Sequence, residues 1–315
     1  MNRRNFLNSV AALAGAAGVS TTVSAQAETK GPLKVRFGLN LLVYTASFTK
    51  DQVDLIKKAA EFGYDGVEIL FGDLEVLDAA ATRRAREAAG VGVTACAVMT
   101  PEANVTSGEA SERAAGVARL KRIVDITAEM GGDAIGGPIY APVRYLPGRA
   151  RTDDEWKWAA ECLRAAAEYA ATANIVLAME PLNRFETYVV NTAADAVKLC
   201  QAANHPNLKV QVDTFHSNIE EKDTAAAIRA TGPYLGHFHA SESDRGVPGT
   251  GQVRWKACFA ALRELDYRGW VTIESFATGI VDLCAAACIW RPIYESADHL
   301  AIEGLAFLKE MARLA

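Results

Sequence analysis

Four polar residues that can bind a metal ion or transfer a proton lie at the ends of four successive strand-like segments. The segments are largely apolar, and each ends on Glu180, Asp213, His239 or Glu274: they are Asn174–Glu180, Leu208–Asp213, Leu235–His239 and Trp270–Glu274. In a parallel α/β protein the C-terminal strand ends share one face, so these residues are expected to converge. Three carboxylates and an imidazole would repel and desolvate one another unless a divalent cation compensated. The pattern therefore predicts a site for one metal ion.

The residue types of this group indicate which cation it would hold. Carboxylates with one imidazole suit Mn²⁺, Mg²⁺ or Co²⁺ better than a thiol-rich zinc site would, and they leave positions open for water or substrate. Any one acidic residue at a strand end could instead be a helix N-cap or an ion-pair partner. Four such residues at the ends of four consecutive strands are unlikely to occur together by chance. His237 points to the same side of its strand as His239, as a second ligand or as a packed histidine inside the barrel.

The elements that must position these residues alternate as strand and helix along the whole chain. Four earlier strands are predicted at Val35–Leu42, Asp65–Leu70, Gly92–Met99 and Asp133–Ile139, which brings the number to the eight of a closed (β/α)8 TIM barrel. We predict one such α/β domain over residues 33–315. A doubly wound open sheet is the rival, but it usually has a glycine-rich turn after its first strand, and Asn40–Thr45 has no glycine. Two long segments after strands are candidate substrate lids, Gly137–Thr152 and Ala277–Glu295.

Three further polar residues follow the predicted ligands closely. Glu186, His216 and Arg245 stand six, three and six residues after Glu180, Asp213 and His239. All three are predicted to lie in loops on the face that carries the strand ends. They would either bind a polyhydroxylated ligand through hydrogen bonds or be solvated loop residues.

Overall charge and the N-terminus bear on partners and location. The 33 basic and 38 acidic residues give a net charge of −5, and no basic stretch follows the N-terminus, so a nucleic-acid partner is not expected. No segment is long and apolar enough to predict a membrane span. Residues 1–27 carry Arg3-Arg4, a mildly apolar run and a closing Ala25-Gln26-Ala27. This resembles a twin-arginine (Tat) export signal and predicts a periplasmic protein, although an amphipathic or disordered arm is the alternative.

The chain has six cysteines. Cys96, Cys162, Cys200 and Cys258 fall in apolar patterns and are predicted to be small core residues. Cys284 and Cys288 are interpreted as an incidental pair on one helix face, and whether any disulfide forms stays open.

Four motifs together resemble one family of sugar enzymes. MEPLNRFETYVVNT from Met179, VDTFH from Val212, GHFHASESDRGVPGTG from Gly236 and IESF from Ile273 are similar to the D-tagatose 3-epimerase and D-allulose (psicose) 3-epimerase family of the xylose-isomerase-like barrels. The resemblance implies a sugar substrate, a homodimer or tetramer, and one divalent metal ion, usually Mn²⁺, Co²⁺ or Mg²⁺. It assigns metal binding to Glu180, Asp213, His239 and Glu274, and acid/base chemistry to Glu180 and Glu274.

The same resemblance places Glu186, His216 and Arg245 at the O1–O3 end of a ketose. At the distal end of the sugar, where the family commonly has aromatic residues, this chain offers Tyr44 and Phe48, with Tyr140 and Pro142 in the fourth loop. That match is loose, so the particular sugar stays open.

Paired glutamates favour inversion at C3 of a free ketose such as D-tagatose, D-fructose or D-allulose. One carboxylate would remove the C3 proton to leave a cis-enediolate, and the other would return a proton on the opposite face. A one-base aldose–ketose isomerase serves only one face. A metal-dependent lyase, dehydratase or isomerase acting on an inosose or a 3-keto-glycoside would use the same residues and stays an alternative. A sugar-binding protein would need no paired bases, and a metal-dependent endonuclease would carry more than five histidines.

Overall fold

Eight parallel strands close into a barrel in the computed structural model, which describes residues 31–315. Each strand pairs with the next one along the chain, and the first pairs with the last, with Gly38 opposite Thr272. Residues Pro32–Ala315 form one compact unit. The predicted export signal, residues 1–27, lies outside the described residues. The strands are β1 Arg36–Asn40, β2 Gly66–Phe71, β3 Gly92–Ala97, β4 Ala134–Gly136, β5 Val176–Met179, β6 Leu208–Asp213, β7 Leu235–His239 and β8 Trp270–Ile273.

Ten α-helices surround or cap the barrel in this part of the chain. They are α1 Asp54–Glu61, α2 Ala79–Ala89, α3 Ala110–Met130, α4 Asp153–Thr172, α5 Ala193–Ala203, α6 Thr214–Glu220, α7 Thr224–Thr231, α8 Trp255–Glu264, α9 Val281–Ala287 and α10 Ala297–Leu314. The α/β alternation predicted from the sequence is confirmed. Helix α6 was not predicted, and α9 was anticipated only through the helix face assumed for Cys284 and Cys288. Each has seven residues and lies on the side of the barrel where the strands end. His216 therefore lies on a helix and not in the predicted loop.

Local signals in the sequence set the helix boundaries. Helices α2 and α3 end at Gly90 and Gly131, which adopt left-handed φ angles of 70° and 78° that a side chain would disfavour. Helix α4 begins with a capping box, in which Thr152 accepts a hydrogen bond from the backbone of Glu155 and the Glu155 carboxylate accepts one in return. Residues close in sequence thus determine where these helices begin and end.

The Glu155 carboxylate also joins two loops on the functional side of the barrel. It accepts hydrogen bonds from Arg149 (2.8 Å between Nη2 and Oε1), from the Thr152 backbone (2.6 Å) and from the Tyr188 hydroxyl (2.9 Å). Arg149 belongs to the segment after β4 and Tyr188 to the segment after β5. The hydrogen bond from Arg149 is the largest of the influences that lower the pKa of Glu155 to about 2.

We expect Glu155 to make the stability of the protein depend on acidic pH. Because its pKa falls from 4.5 to about 2 on folding, its ionised form stabilises the protein above pH 4.5, and that contribution is lost as the pH falls toward 2. Urea unfolding should show a smaller loss of stability over this range for Glu155→Gln than for the wild type. Equal losses in the two proteins would contradict the assignment.

The core lies between the barrel and its helices. Cys96, Cys162, Cys200 and Cys258 are buried free thiols, as predicted. Cys284 lies on α9, but Cys288 follows the end of that helix with a φ of 54°, so the two do not form one helical face as predicted. Within residues 31–315, none of the helices combines the length and apolar character that crossing a membrane requires.

Candidate metal centre and active site

The four predicted ligands converge at the C-terminal end of the barrel. Asp213 and His239 are the last residues of β6 and β7, and Glu180 and Glu274 directly follow β5 and β8. One ligand atom from each lies within 4.8 Å of the others. All four are buried, with at most 5% of each residue exposed. The adjacent parallel strands therefore bring together residues separated by up to 94 positions.

His239 lies at the centre of this group. Its Nδ1 is 3.5 Å from Glu180 Oε1, 3.6 Å from Asp213 Oδ2 and 3.5 Å from Glu274 Oε1. The side-chain amide nitrogen of Gln211 also approaches Nδ1, at 3.0 Å. The other ring nitrogen, Nε2, lies 2.7 Å from a carboxylate oxygen of Glu68. With the ring proton on Nε2, the lone pair of Nδ1 faces the carboxylates, as a metal ligand requires.

Asp213 combines two roles that the sequence could present only as alternatives. Its Oδ1 accepts hydrogen bonds from the backbone N–H groups of Phe215 (2.6 Å) and His216 (3.1 Å), and it thereby caps α6. Its Oδ2 accepts one from the Ser241 hydroxyl (2.8 Å) and faces the cluster. The N-cap thus orients the carboxylate and leaves Oδ2 directed at the centre of the site.

Arg245 supplies positive charge beside the carboxylates. Its guanidinium forms a close ion pair with Glu274 and lies 3.4 Å from Asp213 Oδ2. The guanidinium carbon is 4.2 Å from the ring centre of Phe215 and 4.9 Å from that of Phe276. The backbone of Arg245 has a left-handed φ of 65°. Held between two rings, the guanidinium has little freedom to leave the Glu274 carboxylate.

The two glutamates differ in how readily they ionise. Burial raises the pKa of Glu180, and His239 counteracts this only in part. Burial also opposes ionisation of Glu274, but the positive charge of Arg245 beside it outweighs burial and lowers the pKa of that carboxyl. Such a pair, with one carboxyl favouring its proton and the other favouring its charge, is the arrangement that acid/base chemistry uses.

The donor set fits a divalent cation. Glu180 Oε1 is buried and has no hydrogen-bond partner among the described residues. A buried carboxylate oxygen left in that state is unfavourable unless a cation or a proton meets it. Three carboxylates and the free Nδ1 of an imidazole suit Mn²⁺, Mg²⁺ or Co²⁺. The side chains that would hold the ion are Glu180, Asp213, His239 and Glu274.

Glu68 is a functional candidate that the sequence did not reveal. It lies on β2, is fully buried, and accepts hydrogen bonds from Asn40 and Thr94. Its two oxygens contact Nε2 of His239 (2.7 Å) and Nε2 of His237 (2.8 Å). His237 is therefore a partner of Glu68 and not part of the four-residue cluster, in agreement with the interior-histidine alternative. No motif marks Glu68, since its histidine partners are 169 and 171 residues away.

We expect Glu68→Gln to weaken metal binding by about 10- to 100-fold, because the ring orientation and tautomer of His239 depend on this carboxylate. An amide could offer N–H to Nε2 and so favour the tautomer whose Nδ1 carries the proton. Titration with Mn²⁺ by calorimetry would measure the affinity, and circular dichroism would establish that the variant is folded. Thr94→Val, which removes a different hydrogen bond to the same carboxylate, is the matched control. Equal affinities for Glu68→Gln and the wild type would contradict this role.

The three predicted substrate residues lie next to the cluster on one side. Glu186, His216 and Arg245 line one cavity of about 330 Å³ together with Glu180 and Glu274. His216 Nε2 is 3.2 Å from Arg245 Nη2, and His216 Nδ1 accepts a hydrogen bond from the Asn183 backbone (3.2 Å). The Asn183 amide also donates to Glu186 Oε1 (2.8 Å). Asn183, which belongs to the same sequence motif as Glu186, thus positions both Glu186 and His216.

Of the four residues suggested for the far end of the sugar, only Pro142 lines the cavity in the described part of the chain. Among the residues described, Leu42, Pro142 and Phe276 line the cavity, whereas Tyr44, Phe48 and Tyr140 do not. The Tyr44 hydroxyl instead donates a hydrogen bond to Asp298 at 2.8 Å. Tyr140 and Phe48 are buried in the core. Sequence position alone could not distinguish packing of the barrel rim from lining of the cavity.

Comparison with known proteins agrees with this geometry. The family model for xylose isomerase-like TIM barrels matches residues 56–311. A probable ketose 3-epimerase of Synechocystis sp. is 32% identical over 277 residues, which cover 88% of this chain and 96% of that protein. The D-psicose 3-epimerase of Agrobacterium fabrum is 36% identical over 251 residues, which cover 77% of this chain and 86% of that protein.

A solved structure extends the agreement to three dimensions. The D-allulose 3-epimerase of Methylomonas sp., solved in complex with D-allulose, superposes with a TM-score of 0.84 at 32% identity. The superposition covers 89% of this chain and 98% of that one. The resemblance read from the four motifs is therefore confirmed. The chain belongs to the xylose isomerase-like TIM barrel family and, within it, to the sugar epimerases that include the ketose 3-epimerases.

Proposed function

We propose that this protein is a divalent-metal-dependent epimerase that inverts C3 of a free ketose of the D-tagatose, D-fructose or D-allulose type. The observation that carries the proposal is the meeting of Glu180 and Glu274 at one point, each 3.5 Å from His239 Nδ1. Two carboxylates are needed because inversion requires a proton to leave one face of the carbon and to return on the other.

A divalent cation held by the four side chains, Mn²⁺ in this proposal, would offset the negative charge that develops on the substrate oxygens. Glu274, which is paired with Arg245, is the carboxylate that starts the reaction on one of the two epimers. It removes a proton from C3, and the electron pair forms the double bond of a cis-enediolate. Glu180 delivers a proton to the opposite face of the same carbon. The two roles exchange when the other epimer is the substrate.

The neighbouring side chains orient the sugar. Arg245 lies against Glu274, and its guanidinium can donate to a substrate oxygen without leaving the carboxylate. Glu186 and His216, linked through Asn183, present hydrogen-bonding groups on the same wall of the cavity. Apolar side chains also line this cavity, among them Leu70, Val98 and Met99. They limit the access of water to the reacting carbon.

Isotope exchange in D₂O tests the proposal. Incubation of the Mn²⁺-loaded enzyme with D-fructose, D-tagatose or D-allulose should place deuterium at C3 and produce the C3 epimer, both read by NMR. Deuterium at C1 would indicate an aldose–ketose isomerase. Loss of a hydroxyl group from the substrate would indicate a lyase or dehydratase.

We also propose that the protein is exported and acts as a homo-oligomer. The twin arginines Arg3-Arg4 and the Ala25-Gln26-Ala27 site support export by the Tat pathway to the periplasm, and family resemblance supports a dimer or tetramer. Replacing both arginines by lysine should retain the protein in the cytoplasmic fraction. Light scattering of the purified protein would give the number of subunits.

A further inference from the structure

A second cavity of about 710 Å³ adjoins the one that holds the paired carboxylates. The two cavities share Glu186, Phe215, Arg245 and Ala287 as lining residues, so they are continuous. The inner cavity, at about 330 Å³, is already at the lower end of the size range of small-molecule sites. The outer cavity is more than twice as large, which exceeds what a single ketose held at the carboxylates would occupy.

Five segments line the outer cavity, and four of them are bonded to one another. Arg144, from the segment after β4, donates to the Cys288 thiol (2.7 Å) at the end of α9. The backbone N–H of Arg144 donates to the Glu186 carbonyl (2.7 Å) in the segment after β5. Asp244, after β7, lies 3.4 Å from Arg291. Because these contacts connect the lining segments, the folded chain holds the walls of the cavity in place on the functional face.

The lining of the outer cavity has the chemistry of a carbohydrate site. The Phe185 and Trp290 side chains line it while 67% and 75% of their surface is exposed. Exposed aromatic rings of this kind offer flat apolar faces for the C–H groups of a sugar ring. Arg144, Asp244 and Arg291 add donors and acceptors suited to hydroxyl groups.

We propose that the preferred substrate is a ketose that carries a second sugar on its C1 side, with the keto-sugar in the inner cavity and the glycosyl substituent in the outer one. This inference rests on the proposed function. The residues shared by the two cavities include Glu186 and Arg245, which that function places at the O1–O3 end of the ketose. The glycosyl substituent would therefore extend from the C1 end of the ketose into the outer cavity. The aromatic and polar side chains of the outer cavity would then add to the substrate affinity through contacts with the substituent.

Disaccharide ketoses test this inference directly. The probes are 1-O-α-D-glucopyranosyl-D-fructose, its 6-O-linked isomer and D-fructose, and the readout is deuterium incorporation at C3 by the Mn²⁺-loaded full chain in D₂O. We expect kcat/KM for the 1-O-linked probe to exceed that for D-fructose and for the 6-O-linked isomer by about tenfold or more. Trp290→Ala and Phe185→Ala should each remove most of this advantage and leave the D-fructose rate unchanged. Val281→Ala, which alters an exposed residue of α9 outside the outer cavity, is the matched control and should change neither rate.

The contrary outcomes separate the two proposals. Exchange with D-fructose but no gain with the 1-O-linked probe would overturn the extended substrate and leave the epimerase intact. Absence of C3 exchange with every ketose in enzyme of verified metal content would overturn the proposed function itself. A change in subunit number in Trp290→Ala, with the preference for the 1-O-linked probe retained, would assign the exposed rings to a contact between copies and overturn the inference.

Discussion

Replacement of Glu274 by glutamine is expected to slow epimerisation at C3 by about 10²- to 10⁴-fold, the range typical for loss of a positioned acid or base. The carboxylate follows β8 directly, is buried, and is paired with Arg245. Glutamine keeps the shape of the side chain but cannot accept the C3 proton. The measurement is the rate of interconversion of D-fructose and D-allulose at saturating Mn²⁺.

Solvent exchange in single variants distinguishes two bases from one. If Glu180 and Glu274 serve opposite faces, Glu274→Gln should still exchange the C3 proton of one epimer with D₂O, and Glu180→Gln that of the other. Metal content must be measured in both variants, because each residue is also a predicted ligand. Glu303→Gln, at an exposed position of α10 away from the cluster, is the control and should retain the wild-type rate. Inversion at the wild-type rate in either active-site variant would contradict the mechanism.

Removal of the metal ion is expected to abolish turnover and to lower thermal stability. Four ligands supplied by separate strands bind the ion only in the folded state, so the ion stabilises that state. At a free Mn²⁺ concentration 100 times the dissociation constant, the gain is about 2.7 kcal/mol. For a domain of this size, that corresponds to a rise of roughly 5 °C or more in the unfolding midpoint. Treatment with EDTA followed by Mn²⁺ should reverse both losses.

The control for the metal experiment is a protein that lacks one ligand. Asp213→Asn should show no Mn²⁺-dependent shift in its unfolding midpoint, whereas Glu242→Gln should keep the shift. Glu242 is also buried, but it accepts hydrogen bonds from the Ser243, Gly249 and Val253 backbone and lies outside the ligand cluster. Full activity in a protein verified to be metal-free would contradict the metal role.

The barrel could be predicted because its signals are local. Apolar strand segments, helix periodicity and stops such as Gly90 and Gly131 act within a few residues, and they predicted all eight strands. The absence of α6 from the predicted elements has a physical explanation. Helix α6 follows β6 without an intervening loop, and its cap is the Asp213 side chain that the sequence already marked as a ligand. With only seven residues, it gives no clear helical periodicity.

The site itself was predictable only in part. Strand-end placement indicated that the four predicted ligands would meet, since parallel strands must end on one face. The orientation of His239 depends on Glu68, which comes from the opposite part of the chain, and no spacing in the sequence indicates that contact. The aromatic residues Tyr44 and Tyr140 show the converse, because they match an expected position in the sequence but their hydroxyls form hydrogen bonds outside the cavity.

The sequence by itself determined the barrel, its family and the residues that end strands β5 to β8, because alternation, strand ends and motifs are properties of neighbouring residues. Only the tertiary structure decided which nitrogen of His239 faces the carboxylates and that Arg245 pairs with Glu274. It also revealed that a second cavity continues from the first. These features arise from contacts between segments that closure of the barrel brings together. Their energies depend on burial and on distances between side chains, which the order of residues along the chain does not specify.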